Sequence, residues 1–328
     1  MQATCGMLVL GALHVTMQYD IIPDIHADID RLTQTLSRLG YLALGKTWAH
    51  PEGRIAAFLG DFIDMGCANR QVLNVVRAMR DQGNAVAIMG NHELNALLYH
   101  RPGLNSDGTN HGYMRAHSDK NKAQHQTFLD EFPLGHPDTT EMLVWFLTLP
   151  VFLDLGGLRL VHACWGDTRV ATILERRPGG LLAPDDLQEI ALEKNSSGFA
   201  EAVLTTLKGP EAELPRPRGF RDTNNYWRTE VRLKWWQSGV MTWRDAALSV
   251  PDPAMLPATP IEGGVAFRAY GAEAKPVFFG HYKRDDIPDI DAPNAACLDY
   301  PKMPCAYRWA GETQLDPKNL VVISRRHE

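Results

Sequence analysis

Short apolar runs alternate with helical patterns along the N-terminal part of the chain, and this alternation constrains the fold more than any other feature. Tyr19–Ile22 is a short extended run, and apolar residues then recur at helical spacing from Ile29 to Leu39. A second run covers residues 55–59, a helical pattern covers residues 72–79, and a third run covers residues 85–89. Because strands that alternate with helices form a parallel sheet flanked by helices, the pattern predicts an α/β fold.

The C-terminal half is predicted to add more strands. Residues 151–155 and 158–161 flank Gly156-Gly157, which is typical of a tight β-hairpin. Further apolar runs indicate strands at residues 275–279, 295–299, 307–309 and 320–323.

Two segments interrupt the alternation. Residues 105–140 are polar and rich in His and Lys, which indicates a solvent-facing insertion with one helix. Residues 168–260 are predicted to be mostly helical, and their Trp residues favour the core of a subdomain over a ligand cage; these are Trp227, Trp235, Trp236 and Trp243. We therefore expect a single domain over residues 17–328 with insertions at about 105–140 and 168–260. Residues 1–16, before Met17, are interpreted as a candidate N-terminal extension.

The composition limits which binding partners and which cellular compartment are expected for the chain. The 328 residues include 33 Lys+Arg and 39 Asp+Glu, so the net charge of −6 offers no basic excess for a nucleic-acid backbone. The five cysteines are widely spread and odd in number, which fits a reducing, cytoplasmic compartment better than a disulfide framework. The apolar run at residues 7–15 is far shorter than the ~20 residues of a membrane span, so no membrane association is expected.

Residue types that bind metals follow the predicted strands. Open α/β sheets build their sites at the carboxyl ends of strands, so these side chains are expected to converge. Any one of them alone is better explained as a helix cap or a loop polar group, whereas six at successive strand ends favour a metal site. Mixed nitrogen and oxygen donors suit Mn, Fe, Zn or Mg rather than calcium. The residues are Asp24, His26, Asp61, Asn91, His162 and His281.

In the order and spacing of these motifs, the chain resembles the calcineurin-like metallophosphoesterases. The shared pattern is D-x-H at residues 24–26, G-D-x-x-D at 60–64, G-N-H-E at 90–93, a later H at 162 and G-H at 280–281. The forms of the second and third motifs are similar to the branch of Ser/Thr phosphoprotein phosphatases and bacterial diadenosine tetraphosphatases. The whole chain is also similar to a group of bacterial metallophosphoesterases with no assigned substrate. The resemblance implies a four-layer α/β/β/α sandwich with two mixed β-sheets.

The resemblance also implies two divalent metal ions, with Mn favoured and Fe, Zn and Mg as alternatives. Asp24, His26 and Asp61 would bind one metal ion, and Asp61, Asn91, His162 and His281 the other, so Asp61 bridges the pair. In such a site the metals activate a shared water for direct attack on phosphorus. His92 would protonate the leaving oxygen, and Asp64 would orient its imidazole. A helix-capping role for His92 is the alternative.

The chain departs from the family pattern at three positions. Pro23 and Ala27 replace glycines that usually flank D-x-H, and an alanine is tolerated there only if its φ is negative. Met65 stands where these phosphatases commonly have an arginine that binds phosphate. Arg115 and Lys120 in the first insertion are candidate replacements, although a solvated loop is the simpler interpretation. Asp299 follows a predicted strand and is expected near the site without an assigned role.

The sequence thus predicts a dinuclear metal-dependent phosphoesterase that acts on a phosphomonoester or phosphoanhydride. A small phosphorylated metabolite or nucleotide is the favoured substrate class, and a Ser/Thr-type phosphoprotein phosphatase is the alternative enzyme. A third hypothesis is a catalytically degenerate, metal- and nucleotide-binding regulatory module, and the changes at Pro23, Ala27 and Met65 motivate it.

Overall fold

The computed structural model describes residues 17–104, 110–192, 198–222, 225–237, 239, 241–261 and 269–323. The candidate N-terminal extension at residues 1–16 lies outside the described residues. The helices are α1 (Ile29–Leu39), α2 (Asn69–Asp81), α3 (Asn91–Tyr99), α4 (Asp119–Glu131), α5 (Pro137–Phe146), α6 (Asp167–Arg176), α7 (Asp186–Ala191), α8 (Gly198–Lys208) and α9 (Trp243–Ala246).

The strands are short and spread over the whole described chain. They are β1 (Tyr19–Ile22), β2 (Leu42–Leu44), β3 (Thr47–Ala49), β4 (Ile55–Phe58), β5 (Ala85–Ala87), β6 (Pro102–Leu104), β7 (Asn110–Tyr113), β8 (Phe152–Asp154), β9 (Arg159–Val161), β10 (Glu211–Glu213), β11 (Phe220–Arg221), β12 (Trp227–Arg228), β13 (Glu230–Leu233), β14 (Ala247–Leu248), β15 (Val277–Phe279), β16 (Ala295–Cys297), β17 (Cys305–Trp309) and β18 (Leu320–Val322).

Two mixed sheets form the centre of the fold. The first has the order β18-β17-β1-β4-β5, in which β1, β4 and β5 are parallel and β17 is antiparallel to both of its neighbours. The second has the order β16-β15-β9-β8, in which only the β8–β9 hairpin is antiparallel. The predicted parallel strands and the predicted hairpin are both confirmed.

Alternate side chains of each strand enter different cores, as the period of two in a strand requires. Ile21 and Ala57 of the first sheet share a fully buried cluster with Leu160 and Phe278 of the second. Residues of opposite parity, such as Phe58, pack under the flanking helices. The four-layer α/β/β/α sandwich with two mixed sheets is therefore confirmed.

Helix α1 shows how the sequence encodes the connections that carry the site. Asp28 caps its N-terminus by accepting the N–H of Arg31, and Gly40 ends it at φ +93°. Leu32, Leu36 and Leu39 lie on its buried face. Because residues of α1 and its caps determine where the helix begins and ends, the loop from β1 to α1 has a fixed length and enters the helix in a fixed direction.

The second insertion is only partly helical, so the prediction of a mostly helical segment at residues 168–260 is wrong in its second half. After α8 the chain forms a small antiparallel sheet of β10, β13 and β14 and a β11–β12 ribbon. These strands are two to four residues long, too short for their alternation to stand out in the sequence.

The tryptophans of this segment do not form one core. Trp235 and Trp236 pack on Phe279 of β15, with ring centroids 4.8 Å and 4.7 Å apart. Trp243 belongs to the small cluster under β10 and β13, whereas Trp227 is 55% exposed.

The first insertion contains the expected helix, α4, and a β6–β7 hairpin before it. It is not wholly solvent-facing, because His125 and Phe128 of α4 are fully buried. Across the described part of the chain, no helix is long and apolar enough to cross a membrane. The described cysteines, Cys67, Cys164, Cys297 and Cys305, are free thiols.

Candidate metal centre

All six side chains that the sequence singles out as metal ligands meet where strands of the two main sheets end. A hydrogen bond joins the sheets here, since Nδ1 of His162, after β9 of the second sheet, donates to the carbonyl of Leu59, after β4 of the first. The six are Asp24 and His26 after β1, Asp61 after β4, Asn91 at the start of α3, His162 after β9 and His281 after β15.

Asp24, His26 and Asp61 form one group of donors. His26 Nε2 lies 4.0 Å from Asp24 Oδ2 and 3.9 Å from Asp61 Oδ2. Donor atoms on one cation lie ~3–4 Å apart because each metal–ligand bond is ~2 Å long. His26 Nδ1 is 3.3 Å from the carbonyl of Ile63, so the Nε2 atom is the one that faces the carboxylates.

Asp61, Asn91, His162 and His281 form the second group. His162 Nε2 lies 3.4 Å from Asp61 Oδ1 and 3.0 Å from Asn91 Oδ1, and His281 Nδ1 lies 2.7 Å from the same amide oxygen. His162 Nδ1 donates to the carbonyl of Leu59 at 2.8 Å, which leaves Nε2 as the ring nitrogen that could bind a metal. Asp61 therefore faces both groups, one through each carboxylate oxygen.

Burial makes this cluster costly without positive charge. Asp24 and Asp61 are 1% and 2% exposed. Burial, with a smaller contribution from Asp61, raises the pKa of Asp24 to about 6. Burial alone would also raise the pKa of Asp61, but the imidazoles of His162 and His92 hold it well below its usual range.

The histidines differ in charge. Burial lowers the pKa of His26 to about 4 and that of His281 well below its usual range, so both are neutral near pH 7. Burial alone would also lower the pKa of His162, but the carboxylates of Asp61 and Asp24 raise it to about 10. A cation that binds at His162 Nε2 must therefore displace a proton, and acid opposes binding.

Glu93 fixes the position of Asp61. Its buried carboxylate accepts the N–H groups of Asp61, Phe62 and Gly90 at 2.8–2.9 Å. The N–H of His92, in the first turn of α3, donates to Asp61 Oδ1 at 2.9 Å. The Asp61 carboxylate is thus held in one orientation by the protein itself.

His92 lies at the edge of the cluster with its two ring nitrogens in different surroundings. Nδ1 is 2.6 Å from Asp64 Oδ2, and Nε2 is 3.8 Å from Asp61 Oδ2. Burial opposes its charged form, but Asp61 and Asp64 raise the pKa of His92 to about 9. The ring is therefore cationic at neutral pH, as a general acid requires.

Asp64 has a second imidazole partner. Its Oδ1 atom is 2.8 Å from Nδ1 of His125 on α4. Burial alone would raise the pKa of Asp64, but the hydrogen bonds from His125 and His92 lower it.

Several site residues adopt left-handed backbone conformations. Ala27 has φ +54°, so the expectation that an alanine there needs a negative φ is wrong. This conformation costs a non-glycine residue ~1–2 kcal/mol, which the surrounding hydrogen bonds offset. The other residues at or beside the site with positive φ are His26, Asp61, Asp64, Met65 and His281.

Gly90 is required for a different reason. A Cβ atom there would collide with the backbone nitrogen and the carboxylate of Asp61. The glycine of the G-N-H-E motif therefore allows α3 to begin directly against the carboxylate of Asp61.

Met65 lies at the mouth of a cleft beside His26, and 57% of it is exposed. Lys283 also lines this cleft, and its Nζ is 3.4 Å from Met65 Sδ. Arg115 instead donates to Gln124 at 3.0 Å, and Lys120 lies over the ring of Tyr226 at 5.9 Å. A substrate-binding role for Arg115 and Lys120 stays a prediction.

Asp299 is fully buried, and within the described residues neither of its carboxylate oxygens has a hydrogen-bond partner. Burial and the nearby Asp24 raise its pKa well above the usual range. The structure thus places Asp299 near the cluster, as expected, and in a neutral form.

The geometry agrees with a comparison of the sequence with known families. The profile of the calcineurin-like phosphoesterases matches residues 17–195, which is more than half of the chain. The chain belongs to the calcineurin-like phosphoesterase family. Members of this family use divalent metal ions.

Curated relatives match over shorter stretches. A bis(5'-nucleosyl)-tetraphosphatase (asymmetrical) from Halalkalibacterium halodurans is 38% identical over 76 residues, which are 23% of this chain and 31% of the relative. A bis(5'-nucleosyl)-tetraphosphatase (symmetrical) from Aromatoleum aromaticum is 30% identical over 105 residues, 32% of each chain. The chain thus spans about a third of the length of these relatives.

A solved structure supports the fold. A protein serine/threonine phosphatase from Saccharomyces cerevisiae aligns with 96% of this chain and 82% of its own, with a TM-score of 0.50 and 12% identity. At that identity the likeness concerns the fold alone.

Sequence reasoning missed three residues of the site. Glu93 gives a usable signal, because a glutamate three residues after an N-cap often accepts backbone N–H groups. His125 lies on an insertion whose contacts the motifs do not indicate. Lys283 is 218 residues from Met65, so only the fold brings them together.

We predict that Glu93→Ala lowers the free energy of unfolding by at least about 3 kcal/mol, because it leaves three buried N–H groups without acceptors. Urea denaturation of metal-free protein measures the change. Glu141→Ala is the matched control, since it removes only an exposed ion pair with Arg77 and should cost less than about 1 kcal/mol. Equal effects of the two substitutions would contradict the role of Glu93 as the acceptor that stabilises these backbone N–H groups.

Proposed function

We propose that the chain is a dinuclear metal-dependent phosphoesterase that hydrolyses a phosphomonoester or a phosphoanhydride. The observation that carries this proposal is the position of Asp61, which faces one donor group with each carboxylate oxygen. Shared carboxylates are a means of holding two cations close together. Membership in the calcineurin-like phosphoesterase family supports the same conclusion.

The residues present fit such a pair of cations. Buried carboxylates at Asp24 and Asp61 need positive charge nearby, and the neutral imidazoles of His26 and His281 are ready to ligate. His281 Nε2 is buried and has no hydrogen-bond partner among the residues that the structure describes. We assign Asp24, His26 and Asp61 to one cation and Asp61, Asn91, His162 and His281 to the other. Manganese is the favoured metal, and iron, zinc and magnesium suit the same donors.

Two divalent cations bound there supply charge that polarises the phosphoryl oxygens and favours ionisation of an attacking water. The protein's own contribution is proton transfer and positioning. His92 is cationic, and its Nε2–H faces the cluster. It gives that proton to the leaving oxygen as the P–O bond breaks, while Asp64 holds Nδ1 and stabilises the charged ring.

For the substrate we propose a small phosphorylated metabolite or a nucleotide. The net charge of −6 disfavours a nucleic-acid backbone. Two of the curated relatives that match part of the chain are named as nucleosyl tetraphosphatases, which supports a nucleotide. A direct comparison of a dinucleoside polyphosphate with a phosphopeptide separates this class from the phosphoprotein alternative.

Lys283 is proposed to provide the phosphate contact that Met65 cannot. Its ammonium lies at the cleft mouth beside His26, and no carboxylate pairs with it in the part of the chain that the structure describes. A cation without an acidic partner at a buried anionic cluster is available for a substrate phosphate.

We predict that metal-stripped protein hydrolyses a chromogenic aryl phosphate only after Mn²⁺ is added. Asp61→Asn should abolish turnover, because it removes the negative carboxylate that both cations would share. His92→Asn should lower kcat ~10²-fold or more. His136→Asn is the control, since His136 is exposed at the start of α5. No turnover in wild type despite stoichiometric metal binding would instead favour the degenerate regulatory module.

Lys283→Met should raise the inhibition constant of inorganic phosphate ~10-fold or more, since one charged hydrogen bond contributes ~1.5–3 kcal/mol. Adding Met65→Arg to that variant should restore phosphate binding, because the new guanidinium enters the same cleft. Lys318→Met controls for loss of a surface charge. If Lys283→Met and Lys318→Met behave alike, Lys283 does not contact phosphate.

A further inference from the structure

The inference concerns helix α4 of the first insertion and rests on the proposed function. Asp64 is 2% exposed, and each of its carboxylate oxygens faces one imidazole. Oδ2 is 2.6 Å from His92 Nδ1, and Oδ1 is 2.8 Å from His125 Nδ1. The carboxylate therefore cannot rotate without losing one of these two hydrogen bonds.

His125 is held in place by its own surroundings. Its side chain is fully buried and stacks on Phe128 with ring centroids 4.8 Å apart. Its Nε2 is 3.2 Å from Nε2 of His100. Burial lowers the pKa of His100 to about 4, so that ring is neutral, and a hydrogen bond joins it to His125. The Asp64 carboxylate can only accept, so the facing Nδ1 of His125 carries a proton. The Nδ1–H of His125 is then directed at Asp64.

Helix α4 also fixes the backbone of the Asp64 loop. Asp64 has φ +67°, a left-handed conformation that is uncommon outside glycine. Its N–H donates to Asn69 Oδ1 at 2.9 Å. Asn69 in turn donates to the carbonyl of Thr127 and to Glu131, both on α4. Side chain and backbone of Asp64 are thus both tied to the insertion.

We propose that His125 is a positioning residue for the general acid and acts through Asp64 on His92. Helix α4 then determines how well the leaving oxygen is protonated, without touching the substrate. Loss of the His125 hydrogen bond frees the Asp64 carboxylate to rotate, and His92 Nε2 no longer points steadily at the leaving oxygen.

The test compares two esters that differ in their need for a proton. The leaving group of 2,4-dinitrophenyl phosphate departs without one, whereas the phenoxide of phenyl phosphate has a conjugate-acid pKa of ~10 and needs it. His125→Phe keeps the stacked ring and removes the donor. We expect it to lower kcat/KM for phenyl phosphate ~10- to 100-fold and to change that for the dinitrophenyl ester less than ~3-fold.

His125→Asn is the conservative variant, because its amide nitrogen can take the place of Nδ1, and it should recover most of the loss. Gln126→Ala removes an exposed hydrogen bond to Asp130 on the same helix and should affect both esters equally. Equal losses on both esters in His125→Phe, or a His125→Asn variant as impaired as His125→Phe, would overturn the proposal. If His125→Phe does not fold, His125→Gln, which displaces the donor, is judged by the same criterion.

A second readout does not depend on turnover. Protein labelled with ¹⁵N-histidine should show a low-field Nδ1–H proton resonance for His92, assigned by its loss in His92→Asn. That resonance should shift in His125→Phe and return in His125→Asn, whereas an unchanged resonance would overturn the positioning role. If the hydrogen-bond readout behaves as expected but wild type with Mn²⁺ hydrolyses neither ester, the proposed function fails and the positioning network stands.

Discussion

The structure depends on the burial of two carboxylates, Asp24 and Asp61, at the junction of two sheets. Buried carboxylates are destabilising unless charge or hydrogen bonds compensate them. Here Glu93 anchors the backbone around Asp61, the first turn of α3 donates to its side chain, and imidazoles from the second sheet complete the surroundings. The two sheets are therefore joined by polar contacts at their edge as well as by the apolar core between them.

The chemistry follows from an unequal division of charge among the histidines. His26 and His281 are neutral because burial dominates, whereas His162 and His92 are charged because carboxylates lie beside them. Neutral imidazoles suit metal binding, and a charged imidazole at the edge suits proton donation. His162 is charged in the metal-free protein and is also proposed as a metal ligand. Its proton must therefore leave before a cation can bind. Binding of a cation at His162 would thus release a proton and depend on pH.

Much of the fold and of the candidate site can be predicted from the sequence, for identifiable reasons. The strands β1, β4 and β5 and the helices between them show clear periodicity, and polar motifs follow each strand directly. Ala27 and the small sheet of β10, β13 and β14 were predicted incorrectly, because left-handed φ values and strands of two to four residues leave little trace in sequence. His125 and Lys283 could not be predicted, since their partners are distant in sequence and adjacent only in the folded chain.

The central claim is that Asp61 bridges two cations, and anomalous scattering from a crystal soaked in Mn²⁺ tests it most directly. If Asp61 bridges two cations, two anomalous peaks should lie ~3.5–4 Å apart, with one Asp61 oxygen toward each. One peak should lie against Asp24 and His26, and the other against Asn91, His162 and His281. A single peak at saturating Mn²⁺, or no peak within bonding distance of Asp61, would contradict the claim that Asp61 bridges two cations.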